Sequence, residues 1–252
     1  MSNKVKSMLK AGEPTIGGWV TVGHPSIAEV VAATGFDWVT VDMESGALTC
    51  SEVQMLFQAM APFDVVPLVR VLKNDPDVIG QVLDMGARGI IVPLVNSKEE
   101  AQAAVAAAKY PPEGTRGISV SRAHAYGRCF KEYVDGANED VLVVIQIEHI
   151  EAVNNIDDIL SVPGIDAIFI GPGDLSGSMG LLGQPRHAEV QKMFNKILEG
   201  ARRHGIPTGL HTLSGEEAKE KIEAGFRFIA LSSDSELLCV ACDDSLKIAR
   251  NN

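Results

Sequence analysis

The polar residues of this chain collect where its apolar runs stop. One run ends in Asp42-Met43-Glu44-Ser45, another in Arg70 and a third in Gln146-Ile147-Glu148. A fourth leads into Gly171-Pro172-Gly173-Asp174, and two more stop near His211 and Asp234. A single charged residue at such a place is explained by the chain entering solvent. Several converging on one rim need a chemical explanation, and the residue types make it specific. Glu148 and Asp174 offer carboxylate oxygens to one hard cation, and Mg²⁺ or Mn²⁺ held this way keeps positions open for water and substrate. Such an ion holds the keto and carboxylate oxygens of a 2-oxo acid and stabilises its enolate as a Lewis acid. Arg70, permanently charged and rich in donors, suits the developing oxyanion. Gly171 and Gly173 leave backbone N–H groups open to a substrate carboxylate just before an expected helix start. The other route to the same carbanion is a lysine Schiff base. No lysine ends an apolar run, and Lys73 stands just beyond one.

These residues need a frame, and the apolar runs supply it. Nearly continuous apolar segments at 16–22, 38–43, 65–70, 89–94, 141–148, 165–171, 207–211 and 228–232 predict strands. Helical patterns follow each of them, at 27–34, 51–60, 76–85, 98–109, 152–160, 187–204, 215–224 and 235–250. Strands apolar on both faces are parallel strands covered by helices. Eight alternations without a linker predict one (β/α)₈ TIM barrel over residues 1–252, with the active site at the C-terminal ends of its strands. The open doubly wound sheet is the main rival, and its Gly-x-Gly-x-x-Gly turn after the first strand is missing. Ser51 with Gln54 and Ser214 with Glu217 read as helix starts, and Gly35, Gly86, Gly205 and Gly225 as helix stops. Residues 110–140, rich in Gly, Pro, Arg and Ser, read as one long loop suited to a subunit contact.

Charge and composition exclude other classes. The net charge of −11 leaves no broad basic surface for nucleic acid. Residues 1–10 lack the apolar core of a signal peptide, and the longest apolar run, near 141–147, is too short to span a bilayer. A cytoplasmic protein without a membrane partner is expected. Four scattered cysteines fit a reduced compartment. Cys239 and Cys242, a lone Cys-x-x-Cys, read as small apolar residues of a buried helix.

Longer blocks carry a resemblance. Gly17-Gly18-Trp19, Val41-Asp42-Met43-Glu44, Pro67-Leu68-Val69-Arg70, Leu83-Asp84-Met85-Gly86-Ala87 and Gln146-Ile147-Glu148 are five of them. The most specific is Ile170-Gly171-Pro172-Gly173-Asp174-Leu175-Ser176, followed by Ser178-Met179-Gly180. Together they resemble the class II, metal-dependent pyruvate aldolases of the HpcH/HpaI family across almost the whole chain. The resemblance implies Glu148 and Asp174 as metal ligands, with Mg²⁺ or Mn²⁺ as the cofactor and Co²⁺ as a further candidate. It implies Trp19, Gln146 and Arg70 near the substrate, a carboxylate held by backbone at Gly171 and Gly173, and Glu44 on metal-bound water. It also implies a homo-trimer or homo-hexamer that cleaves a 4-hydroxy-2-oxo acid to pyruvate and an aldehyde.

One position departs from the family pattern. Its Asp-x-Glu-His block pairs the histidine with the aspartate of Leu-Asp-x-Gly to move a proton. Here Ser45 stands at the histidine position while Asp84 remains. A hydroxyl does not titrate near neutral pH and cannot replace imidazole as a base. Three readings follow. Another histidine relays the proton, with His24, His211 and His124 as candidates beside Asp84. Or the enzyme is a related synthase or decarboxylase using the same enolate without that base. Or the chain binds a 2-oxo acid without turning it over. A phosphate-binding sugar barrel is weaker still, because no glycine-rich turn follows the last two strands.

Overall fold

The structure, a computed structural model, describes residues 2–250; residues 1, 251 and 252 of the expected domain lie outside them. Its strands are β1 (Thr15–Val20), β2 (Trp38–Asp42), β3 (Val66–Arg70), β4 (Gly89–Val92), β5 (Leu142–Ile147), β6 (Ala167–Ile170), β7 (Thr208–Thr212) and β8 (Phe228–Ser233). All pair in parallel, each with its neighbour in sequence, and β1 pairs with β8 to close the barrel. This is the expected TIM barrel, with every strand within a few residues of its predicted span.

Among the described residues twelve α-helices accompany the strands: α1 (Lys4–Lys10), α2 (Pro25–Ala33), α3 (Cys50–Met60), α4 (Pro76–Asp84), α5 (Lys98–Ala108), α6 (Phe130–Asp140), α7 (Ile150–Asn154), α8 (Ile156–Leu160), α9 (Pro172–Ser178), α10 (Ala188–His204), α11 (Gly215–Glu223) and α12 (Asp234–Arg250). Several differ from expectation. The start of α3 is capped by Thr49, not Ser51: Thr49 accepts from the Glu52 N–H, and Glu52 accepts in return from the Thr49 N–H. The expected helix at 152–160 is two short helices broken at Asn155, whose amide reaches across to the Asn96 carbonyl. Residues 110–140 are not one loop. They hold a 3₁₀ turn, Arg122–Gly127, and then α6, whose eleven residues lead straight into β5. Nor is α12 buried: none of its residues is, and Cys239 and Cys242 are exposed. The buried-helix reading of those cysteines is therefore corrected.

Two apolar layers build the molecule. One lies between the strands and the surrounding helices. The other fills the barrel, with Trp19, Trp38, Leu68, Ile91, Val144, Phe169 and Phe228 pointing inward. Trp38 and Phe228 stack at 4.2 Å and 13°, a contact worth about 1 kcal/mol beyond its buried area. Gly17 makes room for this, since a Cβ there would stand 2.0 Å from the Trp38 ring. Val5 and Leu9 of α1 join the same cluster, so α1 lies across the N-terminal end of the barrel and stops it like a plug.

A buried ion pair fixes the plug. Lys6 donates to the Val141 carbonyl at 2.7 Å and stands 3.1 Å from Asp166, the two side chains being 8% and 11% exposed. Burial raises the Asp166 carboxyl, with the Lys6 charge working against that. Lys6→Met is expected to cost about 3–5 kcal/mol at neutral pH, because it leaves a buried carboxylate without its cation. A carboxyl raised in the folded state favours folding only when protonated. Urea unfolding should therefore show the loss shrinking as pH falls through the raised value.

Candidate active site

Because all strands run the same way, their C-terminal ends form one rim, and register decides which rim residues meet. Asp42, the last residue of β2, pairs with Arg70, the last of β3. The result is a two-pronged ion pair, Arg70 Nε to Asp42 Oδ1 at 2.8 Å and Nη2 to Oδ2 at 2.6 Å. Nη2 also donates to the Ser45 hydroxyl at 2.9 Å, and Nη1 stands 2.8 Å from Glu44. A guanidinium has five N–H groups in a fixed fork. Four are spent on these partners, leaving one on Nη1. The same group lies 4.6 Å over the Trp19 ring. Arg70 is thus held from every side, and its hydrogen bonds to Asp42 keep its pKa raised although burial opposes this.

Across the rim, Ile147 of β5 pairs with Ile170 of β6, which brings Glu148 beside Gly171. Glu148 is 2% exposed. Its Oε1 accepts from the Leu94 N–H at 2.8 Å, and its Oε2 accepts from the Gln146 amide. Leu94 presents that N–H from a left-handed backbone, φ +53°, which costs a residue with a side chain about 1–2 kcal/mol. A Cβ on Gly171 would stand 2.6 Å from Glu148 Oε2, so glycine leaves the room this carboxylate occupies. Asp174 lies in the first turn of α9 and has no hydrogen-bond or ion-pair partner among the described residues.

Charge defines what the cleft accepts. Burial raises the Glu148 carboxyl; the Leu94 and Gln146 hydrogen bonds lower it, and the Asp174 charge raises it. Glu44 is raised by burial first, relieved by Arg70, and raised again by Glu148, Asp42 and Asp174. Asp42, Glu44 and Glu148 thus act on the Arg70 guanidinium while Asp174 acts on Glu44 and Glu148, an excess of negative charge in a partly desolvated cleft. Such an excess of negative charge suits a bound cation. Among the described residues no three His, Cys, Asp or Glu side chains form a ready metal cluster. Two carboxylates, each oxygen of Glu148 retaining a lone pair, fit an ion that completes its shell with water and substrate.

The cleft measures about 320 Å³ and is lined by Trp19, Thr21, Asp42, Arg70, Gln146, Gly171, Gly173, Asp174, His211, Ser233 and Glu236, among others. Among the described residues, Trp19 Nε1 and Gln146 Oε1 are buried without hydrogen-bond partners. Trp19, Arg70, Gln146, Gly171, Gly173 and Asp174 thus come together as expected, with Glu44, Ser45 and Glu148 beside them. Asp84 does not. It ends α4, five residues before β4 begins, and so lies at the opposite end of the barrel, bonded to Arg116 at 2.6 Å and Ser119 at 2.7 Å. Within one protomer it cannot reach Ser45. His124 is buried and spent on Ser119, Ser121 and Gly127, and His24 caps α2. Sequence reasoning gave no role to Asp42, Leu94, Ser233 or Glu236. Ser233-x-x-Glu236 carries the signature of a helix start, and that signal was legible.

Comparison with known proteins bears on this geometry. The signature described as HpcH/HpaI aldolase/citrate lyase matches residues 15–241. A 4-hydroxy-2-oxo-heptane-1,7-dioate aldolase of Escherichia coli is 39% identical over 245 residues, covering 96% of this chain and 93% of its own. Among solved structures, an HpcH/HpaI aldolase/citrate lyase family protein from Burkholderia cenocepacia superposes with a TM-score of 0.95 at 32% identity, covering 99% and 100% of the two chains. The citrate synthase SbnG superposes with a TM-score of 0.88 at 31% identity, covering 98% and 97%.

Proposed function

As this chain belongs to the HpcH/HpaI aldolase/citrate lyase family, we propose that it is a class II pyruvate aldolase whose rim cleaves a 4-hydroxy-2-oxo acid to pyruvate and an aldehyde. The observation that carries the reading is the cleft itself, where Asp42, Glu44 and Glu148 bear on the guanidinium of Arg70 and Asp174 adds its charge beside Glu44 and Glu148. Glu148 and Asp174 would hold Mg²⁺ or Mn²⁺, with Co²⁺ as a further candidate. When bound, the ion supplies Lewis-acid stabilisation of the enolate.

The chain's own residues do the rest. The free N–H of Arg70 meets the oxygen on which charge develops, and its other contacts hold it there without reorganisation. The Gly173 N–H at the start of α9 takes the carboxylate; the Gly171 N–H, expected to share that task, is spent on the Ile147 carbonyl at 3.2 Å. Gln146 fixes Glu148 and offers its unpartnered oxygen to the ligand, while Trp19 walls the cleft. Glu44 would accept from water in the ion's shell. Ser45 does not serve as a base in this reading; it is one of the acceptors that set Arg70.

A synthase running the same enolate forward toward a dicarboxylate or tricarboxylate is the second reading, supported by the likeness to SbnG. We also propose a homo-trimer or homo-hexamer, since α12 exposes Leu237, Leu238, Val240, Leu246 and Ile248 within the protomer. No helix among the described residues is long and apolar enough to cross a membrane, and four free cysteines suit the cytoplasm.

The test is exchange of the pyruvate methyl protons in D₂O, followed by NMR, beside release of pyruvate from 4-hydroxy-2-oxo acids. Both should require a divalent ion and stop with chelator. Metal-independent turnover, or binding of metal and pyruvate with neither reaction, would overturn the reading. Accumulation of a condensation product without cleavage would favour the synthase.

A further inference from the structure

Five of the six histidines are occupied elsewhere. His24, His149 and His187 cap α2, α7 and α10 through Nδ1; His124 holds the 119–127 turn; His204 pairs with Asp157 at 3.2 Å. His211 remains, and it lines the cleft. It sits near the end of β7 with its side chain 28% exposed. Its Nε2 stands 3.4 Å from Glu236 Oε2, and among the described residues Nδ1 has no hydrogen-bond partner.

Glu236 is not a chance neighbour. Its Oε2 accepts from Ser232 Oγ at 3.1 Å, Ser233 N at 3.0 Å and Ser233 Oγ at 2.9 Å. Ser232 holds that turn in a left-handed backbone, φ +60°, which an ordinary residue adopts only when its surroundings demand it. Register places Ser233 opposite Trp19, so the carboxylate is fixed at the seam where β8 meets β1. An imidazole with one nitrogen turned to an anchored carboxylate and the other unclaimed is the arrangement of an oriented acid–base group.

Resting on the aldolase reading above, we propose that His211, positioned by Glu236, moves the proton of the aldol step in this chain. In cleavage, Nδ1 takes the proton of the C4 hydroxyl. The C4–O bond becomes the aldehyde carbonyl, the C3–C4 bond breaks, and its electron pair forms the C2=C3 bond of the pyruvate enolate. The C2 carbonyl π pair moves onto its oxygen, and the imidazolium's proton, or one it exchanges with water, then goes to C3 to give the pyruvate methyl group and a neutral ring; aldol addition runs the same transfers in reverse.

The surrounding charges suit this role. Burial lowers the imidazole pKa, the carboxylates of Glu236 on α12 and Glu217 on α11 raise it, and Arg70 on β3 lowers it again. The balance falls below the ordinary value, so the ring is neutral at pH 7 and free to accept a proton. Asp42 on β2 shares the cleft but spends its oxygens on Arg70.

Loss of CO₂ from oxaloacetate gives the same pyruvate enolate and needs no base, so the two reactions separate His211 from the rest of the site. His211→Asn and His211→Gln should lose about 10²–10⁴-fold in kcat for aldol cleavage, with oxaloacetate decarboxylation changed less than about 3-fold. The acid limb of the cleavage pH profile should vanish in both. Glu236→Gln should move that limb to lower pH, because it removes a charge that favours imidazolium. Cleavage retained within about 3-fold, with its acid limb intact, would overturn the proposal. So would a parallel fall in both reactions, which marks a structural histidine. If the unaltered protein performs neither reaction, it is the aldolase reading that fails.

Discussion

Glu148→Gln is expected to reduce kcat/KM for pyruvate-forming cleavage by on the order of 10³-fold or more while leaving the metal-free fold at least as stable. The loss follows from removing one of the two carboxylates proposed to hold the ion, whose stabilisation of charge in the transition state would be worth several kcal/mol. The second half follows from burial. The Glu148 carboxyl is raised in the folded state, chiefly by desolvation. A raised carboxyl contributes stability below its unfolded pKa and loses it as pH rises through the folded value. At pH 7 the ionised side chain therefore opposes folding until a cation arrives, and the neutral amide does not. Thermal unfolding with and without Mn²⁺ checks both parts: the ion should raise the midpoint of the unaltered protein and not that of the variant. A variant that keeps its metal-dependent shift would remove Glu148 from the ligand set.

Arg70→Lys is expected to lower kcat by about 10²–10³-fold with KM changed little, because the lost interaction belongs to the transition state. Charge is conserved, but the fork is not. An ammonium cannot take Asp42 with two parallel bonds, Ser45 and Glu44 with others, and still present a fixed N–H to the substrate oxygen. It also gives up the guanidinium's planar contact with Trp19. Steady-state kinetics on the cleavage reaction decides it; a loss confined to KM would assign Arg70 to ground-state binding.

How far the sequence reaches can be traced residue by residue. Apolar alternation is a local signal, so eight strands and their helices were readable, and with them the rim that carries Glu148 and Asp174. What failed depended on partners distant in sequence. Helix α1 spans seven residues, and Val5 and Leu9 gain burial only from strands that form much later in the chain. Asp42 looked like one acid among several until the β2–β3 register set it against Arg70. Leu94 carries no chemistry in its side chain; its contribution is an N–H turned by an unusual backbone angle. The reading of 110–140 as loop gave weight to Gly and Pro near its start and missed that Phe130–Asp140 forms a helix. Asp84 was tied to Ser45 by family pattern alone, and chain topology puts the two at opposite ends of one protomer.

The plug formed by α1 has a bearing on traffic. With the barrel stopped at one end by Val5 and Leu9, the cleft is a vestibule with a single door. In the proposed reaction the three-carbon acid, its oxygens at Arg70 and the Gly173 N–H, would sit behind whatever aldehyde occupies the doorway. On that reading the aldehyde would depart first in cleavage and arrive second in synthesis. Turnover is a queue whose order is set by depth, and wide tolerance at the door is compatible with strict selection at the floor.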